Sequence, residues 1–476
     1  HFAAAAPFGE ASRAIEYSIL AARAAIDALA FDQAAELLRT ALDLGIVEPT
    51  RRSEVLIELG AASQRAGREL DALDALRSAA DLAREVGDVE LLARAAIGYE
   101  AACWAPMIVD QRAAELLEEA TAALGDQRSD LRVRLLSGLA RALDLRGEQR
   151  RAAVVRSDAI ALARRLDDRI GLATVLMRSY WSRGATPIHE IQAMLAEAMQ
   201  LGEELGNTEI RAEAMAWRVP SFVALGDIAS ARREVAAALD TAEATAQPLF
   251  MYMADQFGSA IALADGHLER AEAMAGRSYR AGQLLTGRDA SGTYGIQMFG
   301  VRREQGRLAE LSPVIRILTA GNREQGPWQP GFVSLLVELG MEAEARTHLA
   351  QITREGLEPF RTSLWVASLT YITDACAVVG DEDAAALVYQ ELEPLAGTNV
   401  MITQGVACYG SADRYLGMLA TTLGEWERAT QHYEDAIDLN RQMGTTTWLA
   451  HTEYEYARML LARGNEKAER IAALLG

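Results

Sequence analysis

Lysine is almost absent from this chain, because Lys467 is the single lysine among 47 cationic residues and all the others are arginine. A catalytic lysine, a Schiff base or a phosphate-loop lysine is therefore not expected. The patterns G-x-x-x-x-G-K-[ST], H-E-x-x-H, C-x-x-C and G-x-S-x-G are also missing. The six histidines are spread singly, without the spacing of metal ligands. These absences predict a chain with no catalytic site, no cofactor and no metal site.

Cysteine and long apolar runs are scarce as well. The three cysteines, Cys103, Cys376 and Cys408, stand far apart, and each lies in an apolar stretch that we expect to be helical. Isolated cysteines in apolar surroundings indicate buried free thiols in a reducing cytosol. No apolar run is long enough to span a membrane, and the opening residues 3–6 lack the features of a signal peptide. The sequence predicts a soluble cytoplasmic protein that does not contact a membrane.

Positive charge is in deficit, since the formal net charge is −20. Nucleic-acid surfaces need clustered cations, so direct contact of this chain with nucleic acid is not expected. Aromatic residues make up only 6% of the chain, whereas hydrophobic residues make up 50% and alanine is frequent. Alanine and unbranched side chains lose little entropy in a helix, and this composition therefore predicts helices with almost no strand.

The most regular feature that is present is a glycine followed by a mostly polar residue, with an alanine five positions after the glycine. This pair recurs about every 40 residues, a period typical of stacked helix pairs. The clearest copies are Gly67 and Ala72, Gly147 and Ala152, Gly226 and Ala231, Gly266 and Ala271, Gly380 and Ala385, and Gly424 and Ala429. Glycine ends the first helix of a pair, and the small alanine lets the second helix cross it closely. We predict an all-α solenoid of roughly ten or eleven antiparallel helix pairs in a right-handed superhelix.

One unit carries a fuller pattern of small and large residues at fixed spacing. Its members are Leu416, Gly417, Gly424, Trp426, Ala429, Tyr433 and Ala436. This pattern resembles the tetratricopeptide repeat. The whole array, whose opening residues 15–42 look like a first repeat, resembles the region that follows the ATPase module in LuxR-type ATP-dependent transcription regulators and in ATPase-linked class III nucleotidyl cyclases of bacteria. The resemblance implies sensing, autoinhibition or assembly, and it transfers no catalytic residue.

A joint between two segments is predicted about two thirds of the way along the chain. Residues 321–331 contain two prolines and three glycines, which cannot continue a helix. We therefore predict a helical-repeat segment over 1–320, a hinge over 321–331 and a second helical-repeat segment over 332–476.

The resemblance to tetratricopeptide repeats also selects a candidate binding face. In that pattern the residues that face the inner surface stand two, three, six, ten and thirteen positions before each repeat glycine. The side chains selected in this way are Arg141, Asp144, Arg178, Trp181, Gln256, Arg303 and Glu304. An arginine there can hold a carboxylate or phosphate, and a neighbouring tryptophan can stack on a ligand. The alternative is that these arginines are solvated surface residues.

We therefore predict a non-enzymatic protein-interaction and regulatory module of a larger bacterial signalling ATPase. Its partner would be a protein, a peptide or the attached ATPase domain, and binding would change the curvature of the array. A first alternative is a sensor of a small-molecule effector, with a pocket among the methionines and aromatic residues between Met177 and Phe299. A weaker alternative is a homo-oligomerisation scaffold with contacts at Trp328, Trp448, Tyr454 and Tyr456.

The aromatic residues have a competing interpretation as core residues. Trp217, Phe257, Tyr371 and Tyr415 each stand nine residues before a repeat glycine. A position that recurs in this way is typical of packing between helices. The register therefore favours a buried role for these four side chains.

Overall fold

The chain forms an all-α array of helix pairs, as the sequence predicts, in a computed structural model that describes residues 11–104, 110–183, 186–311, 313, 328–361, 364–464 and 468–475. These residues form 23 α-helices and one β-hairpin. The first twelve helices are α1 Ala11–Asp27, α2 Phe31–Asp43, α3 Pro49–Arg65, α4 Glu69–Val86, α5 Val89–Trp104, α6 Gln111–Leu124, α7 Asp130–Leu145, α8 Gln149–Leu166, α9 Arg169–Met177, α10 Ile188–Glu204, α11 Thr208–Ala224 and α12 Ile228–Thr245.

The remaining elements complete the array. They are α13 Pro248–Ala264, α14 Leu268–Gly282, α15 Ala290–Glu304, α16 Gln329–Glu338, α17 Glu342–Glu355, α18 Trp365–Val379, α19 Glu382–Leu392, β1 Asn399–Ile402, β2 Ala407–Ser411, α20 Ala412–Thr422, α21 Trp426–Met443, α22 Thr446–Arg463 and α23 Ala468–Leu475. Short 3-10 turns follow several of the helices, among them Arg178–Ser182 after α9. Most successive helices are joined by only a few residues, which makes neighbours antiparallel.

The chain divides into two compact units. The first unit comprises His1–Ser221, Ala236–Ala254 and Arg277–Ser291. The second unit comprises Phe222–Val235, Asp255–Gly276 and Gly292–Gly476. The division into segments 1–320 and 332–476 remains a prediction.

The predicted glycine turns are confirmed at all six positions that the repeat pattern selects. Each of those glycines has a positive φ angle, and each alanine five residues later is fully buried. Gly67 shows why glycine is needed, because its φ is +81° and an added Cβ would lie 2.8 Å from the carbonyl oxygen of Leu284. A left-handed backbone and a close neighbour both exclude a larger residue there.

The predicted hinge falls partly outside the described residues. Residues 321–327 are not among the described residues. Trp328 lies in a turn, and α16 begins at Gln329. The last three residues of the predicted hinge are therefore helical and buried, which corrects its C-terminal boundary. Pro330 is compatible with this helix because it occupies the first turn, where its missing N–H has no intrahelical partner to lose.

The β-hairpin is the element that the sequence did not predict. Strands β1 and β2 pair antiparallel, with Met401 opposite Cys408, and every residue of β2 is buried. Tyr409 reaches from β2 to α18, where its hydroxyl lies 2.9 Å from the hydroxyl of Tyr371. The hairpin therefore belongs to the hydrophobic core of the second unit.

The cysteine and aromatic predictions are confirmed with one correction. All three thiols are free and buried, but Cys408 lies in a strand and not in a helix. Burial raises the pKa of the Cys103 thiol to about 12, which makes it unreactive. The four aromatic residues of the nine-residue register are buried, as predicted for core positions. No described helix combines the length and the apolarity needed to cross a membrane.

Candidate functional site

Two of the selected side chains, Arg141 and Arg178, meet in the interior of the first unit. Arg141 donates from Nε to Glu100 Oε1 at 2.6 Å and from Nη2 to Oε2 at 2.9 Å. Arg178 lies 3.4 Å from the same Oε2, and its Nη1 is 3.4 Å from Ser137 Oγ. Both arginines are buried, which contradicts their assignment as residues lining an open face.

The side chain of Trp181 belongs to an aromatic cluster beside these charges. The ring centroids of Trp181 and Trp217 are 5.0 Å apart, and Tyr180 stacks on Trp217 at 4.5 Å. The guanidinium of Arg141 lies 5.1 Å from the ring centroid of Trp104. Burial, together with the charge of Arg141, lowers the pKa of Arg178 to about 10. Trp181 is therefore a packing residue, and its assignment to an open binding face is wrong.

Repeat stacking explains why these charges are buried. Glu100 and Arg141 are 41 residues apart, and the same separation joins Ser137 to Arg178. Residues one repeat apart lie side by side in a stacked array, so each arginine meets a polar residue of the preceding repeat. The repeat length of about 40 residues was a sequence signal that could have identified Glu100 as the partner of Arg141.

Asp144 is also an interior residue and lies apart from that cluster. It forms an ion pair with Arg156, and both side chains are almost fully buried. Burial raises the pKa of Asp144 to about 6, although the charge of Arg156 and its hydrogen bond oppose the change. Its predicted role on a binding face is therefore not supported by its position.

Gln256 occupies the core of the second unit. Its backbone carbonyl accepts a hydrogen bond from Gln297 Nε2 at 2.9 Å, and Gln297 also donates to the carbonyl of Val406 in the β-hairpin at 3.1 Å. The side chain of Gln256 is 3% exposed. The prediction that it lines an open face is wrong, because Gln256 is buried.

Arg303 and Glu304, in contrast, line a groove in the second unit. The groove has a volume of about 570 Å³. It is lined by Gly266, Leu268, Arg303, Glu304, Val337, Glu338, Asp374, Ala377, Val378, Met418, Thr447, Ala450, His451, Tyr454, Glu455 and Arg458. These residues come from α14, α15, α16, α18, α20 and α22 and from the turn after α13.

The groove follows the register of inner positions that selected Arg303 and Glu304. Asp374 and Arg458 each stand six residues before a repeat glycine, and Tyr454 and His451 stand ten and thirteen residues before Gly464. Sequence reasoning missed these four residues because it applied the register only to selected repeats. Applied throughout the second unit, the same signal would have found most of the lining.

Arg303 links two carboxylates at one end of the groove. Its Nε lies 3.0 Å from Glu338 Oε1, and its Nη1 donates to Asp374 Oδ2 at 2.7 Å. Ser334 Oγ is 3.4 Å from the same Oδ2. Asp374 Oδ1 is buried and has no hydrogen-bond partner. One guanidinium therefore forms ion pairs with two carboxylates, of which Glu338 is the more exposed.

Glu304 pairs with His451 along the same groove, with Oε2 2.8 Å from His451 Nε2. Burial opposes ionisation of Glu304, but the hydrogen bond from His451 and nearby positive charges outweigh it and lower the pKa of this carboxyl. The ring of His451 also stacks on Trp448 at a centroid distance of 5.7 Å. These contacts hold the carboxylate in its charged form at the groove wall.

Two further features bear on what the groove can bind. Val378 is 42% exposed and Tyr454 is 53% exposed, so the lining offers apolar surface next to the charges. In the part of the chain that the structure describes, no three histidine, cysteine, aspartate or glutamate side chains are grouped to hold a metal ion. The arrangement suits recognition of a ligand that combines apolar and polar groups.

Comparison with known proteins gives only distant similarity. The sequence profile of the family described as anaphase-promoting complex subunit 5 matches residues 19–99 and 392–463, which is less than half of the chain. No curated protein sequence matches. Yeast Tom70 is 11% identical over 97% of this chain and 99% of its own, with a TM-score of 0.35. A chain of the Cut9-Hcn1 hetero-tetramer of the APC/C is 10% identical over 97% of this chain and 95% of its own, with a TM-score of 0.28. The chain is an all-α array of tetratricopeptide-like helix pairs.

Proposed function

We propose that the chain is a non-catalytic protein-interaction module whose second unit holds an extended peptide segment of a partner. The observation that supports this proposal is the groove lined by residues of the inner register. Its volume of about 570 Å³ lies within the range of ligand sites, roughly 300–1,000 Å³. A groove of this size can accept several side chains of an extended segment.

The lining is suited to a peptide because it mixes exposed apolar surface with fixed charges. Tyr454 and Val378 can cover apolar side chains, whereas Arg303, Glu304 and Asp374 can hydrogen-bond to polar groups. These three charged side chains are already held in ion pairs within the protein, so their positions are set before a ligand arrives. Pre-organised side chains lose little further entropy on binding.

The proposal also concerns the larger protein to which the module belongs. We infer that it belongs to a larger cytoplasmic signalling ATPase of bacteria, as a transcription regulator or a nucleotidyl cyclase. The support is the tetratricopeptide-type pattern around Gly424 and the first-repeat character of residues 15–42. The partner would be the attached ATPase domain or a separate protein, and the net charge of −20 argues against nucleic acid.

The two alternative functions have less support from the positions of their residues. A small-molecule sensor would need an open pocket among the central aromatic residues, but Tyr180, Trp181 and Trp217 pack against one another and are buried. A homo-oligomerisation scaffold would need exposed aromatic contacts, but Trp448 is buried and Trp328 is half-buried against the core. Tyr456 is buried too, and Tyr454 is the exposed member of that set.

Selection of random peptides displayed on phage tests the proposal. Ala450 is an exposed residue in the groove lining, so Ala450→Trp would fill the groove without disturbing the core. Ala343→Trp, at an exposed position of α17 outside the groove lining, is the matched control. We expect peptides that bind the wild-type chain and the Ala343→Trp variant but not the Ala450→Trp variant. Failure to select any peptide, or equal binding by all three proteins, would overturn the proposal.

A further inference from the structure

We propose that the segment bound in the groove carries a cationic side chain, lysine or arginine, which docks at Glu338 beside Arg303. This inference rests on the proposed peptide-binding function and identifies the chemistry of the ligand. It depends on the charge balance at the Arg303 end of the groove, on the accessibility of Glu338 and on the apolar surface nearby.

The Arg303 end of the groove has an excess of negative charge. A single guanidinium contacts Glu338 at 3.0 Å and Asp374 at 2.7 Å, so one carboxylate charge is left without a cation of its own. Asp374 is 4% exposed, and its Oδ1 is a buried acceptor without a hydrogen-bond partner. A ligand that brings a positive charge and N–H donors to this end would therefore improve its electrostatic balance.

The other carboxylates around the groove each have a hydrogen-bonding or ion-pair partner of their own. Glu455 pairs with Arg458 at 3.0 Å, and Glu304 pairs with His451 at 2.8 Å. Arg414 lies behind the wall, where it is 2% exposed and its guanidinium is 4.1 Å from the ring centroid of Tyr415. Its positive charge also helps to lower the pKa of Glu304. Glu338 and Asp374 are thus the two carboxylates of the groove that share a single cationic side chain, Arg303.

Glu338 is more accessible to a ligand than Asp374 or Glu304. Its side chain is 38% exposed, compared with 5% for Asp374 and 12% for Glu304. Val378 lies in the same lining with 42% of its surface exposed. Lysine and arginine have aliphatic stems that pack on apolar surface while the charged group reaches a carboxylate. Both parts of such a side chain thus find a complement in the groove.

A positional-scanning library of nonapeptides, acetylated at the N-terminus and amidated at the C-terminus, tests this inference on the full chain. The caps ensure that charge comes from side chains only. We expect retained peptides to be enriched in lysine or arginine at one position. In fluorescence anisotropy, replacing that residue by glutamine in the best peptide should weaken binding about fivefold, as expected for a partly exposed ion pair.

Two protein variants locate the effect. Glu338→Gln should weaken binding of the cationic peptide by about the same factor and leave binding of its glutamine counterpart unchanged. Glu342→Gln, on the exposed surface of α17, removes the same charge and should change neither. Selection of peptides without a cationic preference, or an equal effect of both variants, would overturn the inference and leave the proposed function standing. If no peptide binds at all, the proposed function itself fails.

Discussion

Arg141 and Glu100 form a bidentate ion pair inside the first unit, with nitrogen to oxygen distances of 2.6 and 2.9 Å. Both side chains are almost completely buried, at 0% and 2% exposure. Removing one partner of such a pair leaves a buried charge without compensation. Each side chain therefore depends on the other for charge compensation where α5 packs against α7, although sequence reasoning placed Arg141 on a binding face.

The first prediction concerns this pair. Arg141→Met should destabilise the first unit by about 3–5 kcal/mol, because Glu100 keeps only the more distant Arg178. Arg134→Met, which breaks the exposed pair with Asp130 on the same helix, should have an effect of about 0.5 kcal/mol or less. Hydrogen exchange of α5 and α7 peptides measures both. Equal effects would show that the buried pair contributes no more than a surface pair.

The second prediction concerns the pH dependence of the first unit. Burial raises the pKa of Glu69, at the start of α4, from an ordinary value of 4.5 to about 7. The folded state thus binds a proton more tightly than the unfolded state. The stabilisation that this proton gives to the folded state is fully present below pH 4.5. It is lost as the pH rises through about 7.

Glu69→Gln mimics the protonated side chain and tests this sign. The variant should match the wild type near pH 4.5 and be more stable than the wild type at pH 8, as measured by urea unfolding of the first unit. Glu85→Gln lies on the exposed surface of the same helix. Its stability should differ from that of the wild type by the same amount at every pH in that range. A Glu69→Gln variant that is less stable at pH 8 would contradict the assignment.

The third prediction concerns the β-hairpin. Gly410 has a φ of +75°, and an added Cβ would lie 2.5 Å from the Cβ of Trp448. Gly410→Ala should therefore destabilise the hairpin by about 2 kcal/mol or more through strain and collision. Gly397 has nearly the same φ, +73°, but no atom lies within 4 Å of an added Cβ. Gly397→Ala should therefore lower the stability by only about 1 kcal/mol.

Hydrogen exchange of residues 399–411 measures this difference. The expected result is faster exchange in both variants and the larger increase for Gly410→Ala. Equal rates would mean that the approach of Gly410 to Trp448 is not tight in solution.

The fourth prediction concerns Arg303 in the groove. Arg303→Met leaves Asp374 with a buried charge, and we expect the contacts between α15 and α18 to weaken by about 2 kcal/mol. Arg458→Met, which breaks an exposed pair within α22, should change stability by about 0.5 kcal/mol or less. Urea unfolding of the second unit compares the two. An Arg303→Met variant that is as stable as the wild type would show that the burial of Asp374 does not depend on this guanidinium.

Much of the fold follows from the sequence because the repeat is local. A glycine with a left-handed backbone and a small residue five positions later are visible in one repeat, and all six predicted pairs have these properties. Core positions such as Trp217 and Phe257 recur at fixed distance from the glycine, which made their burial predictable. Periodicity alone was enough for these features.

The hairpin and the buried charges could not be derived in the same way. The sequence around Cys408 is apolar, and apolar runs of this length are compatible with either a strand or a buried helix. Arg141 is paired with Glu100 of another repeat, and the backbone carbonyl of Gln256 accepts a hydrogen bond from Gln297 of α15. Such contacts join residues distant in the chain, so a rule based on one repeat misplaced these side chains while it placed Arg303 and Glu304 in the groove.

Hydrogen–deuterium exchange of the full chain, with and without the strongest phage-selected peptide, tests the central claim that the second unit binds a partner segment in its groove. Peptide binding in the groove should slow exchange in α18 and α22, which supply much of the lining. The Ala450→Trp variant should lose this protection, and the Ala343→Trp variant should keep it. Protection confined to the first unit, or protection that persists in the Ala450→Trp variant, would contradict the account.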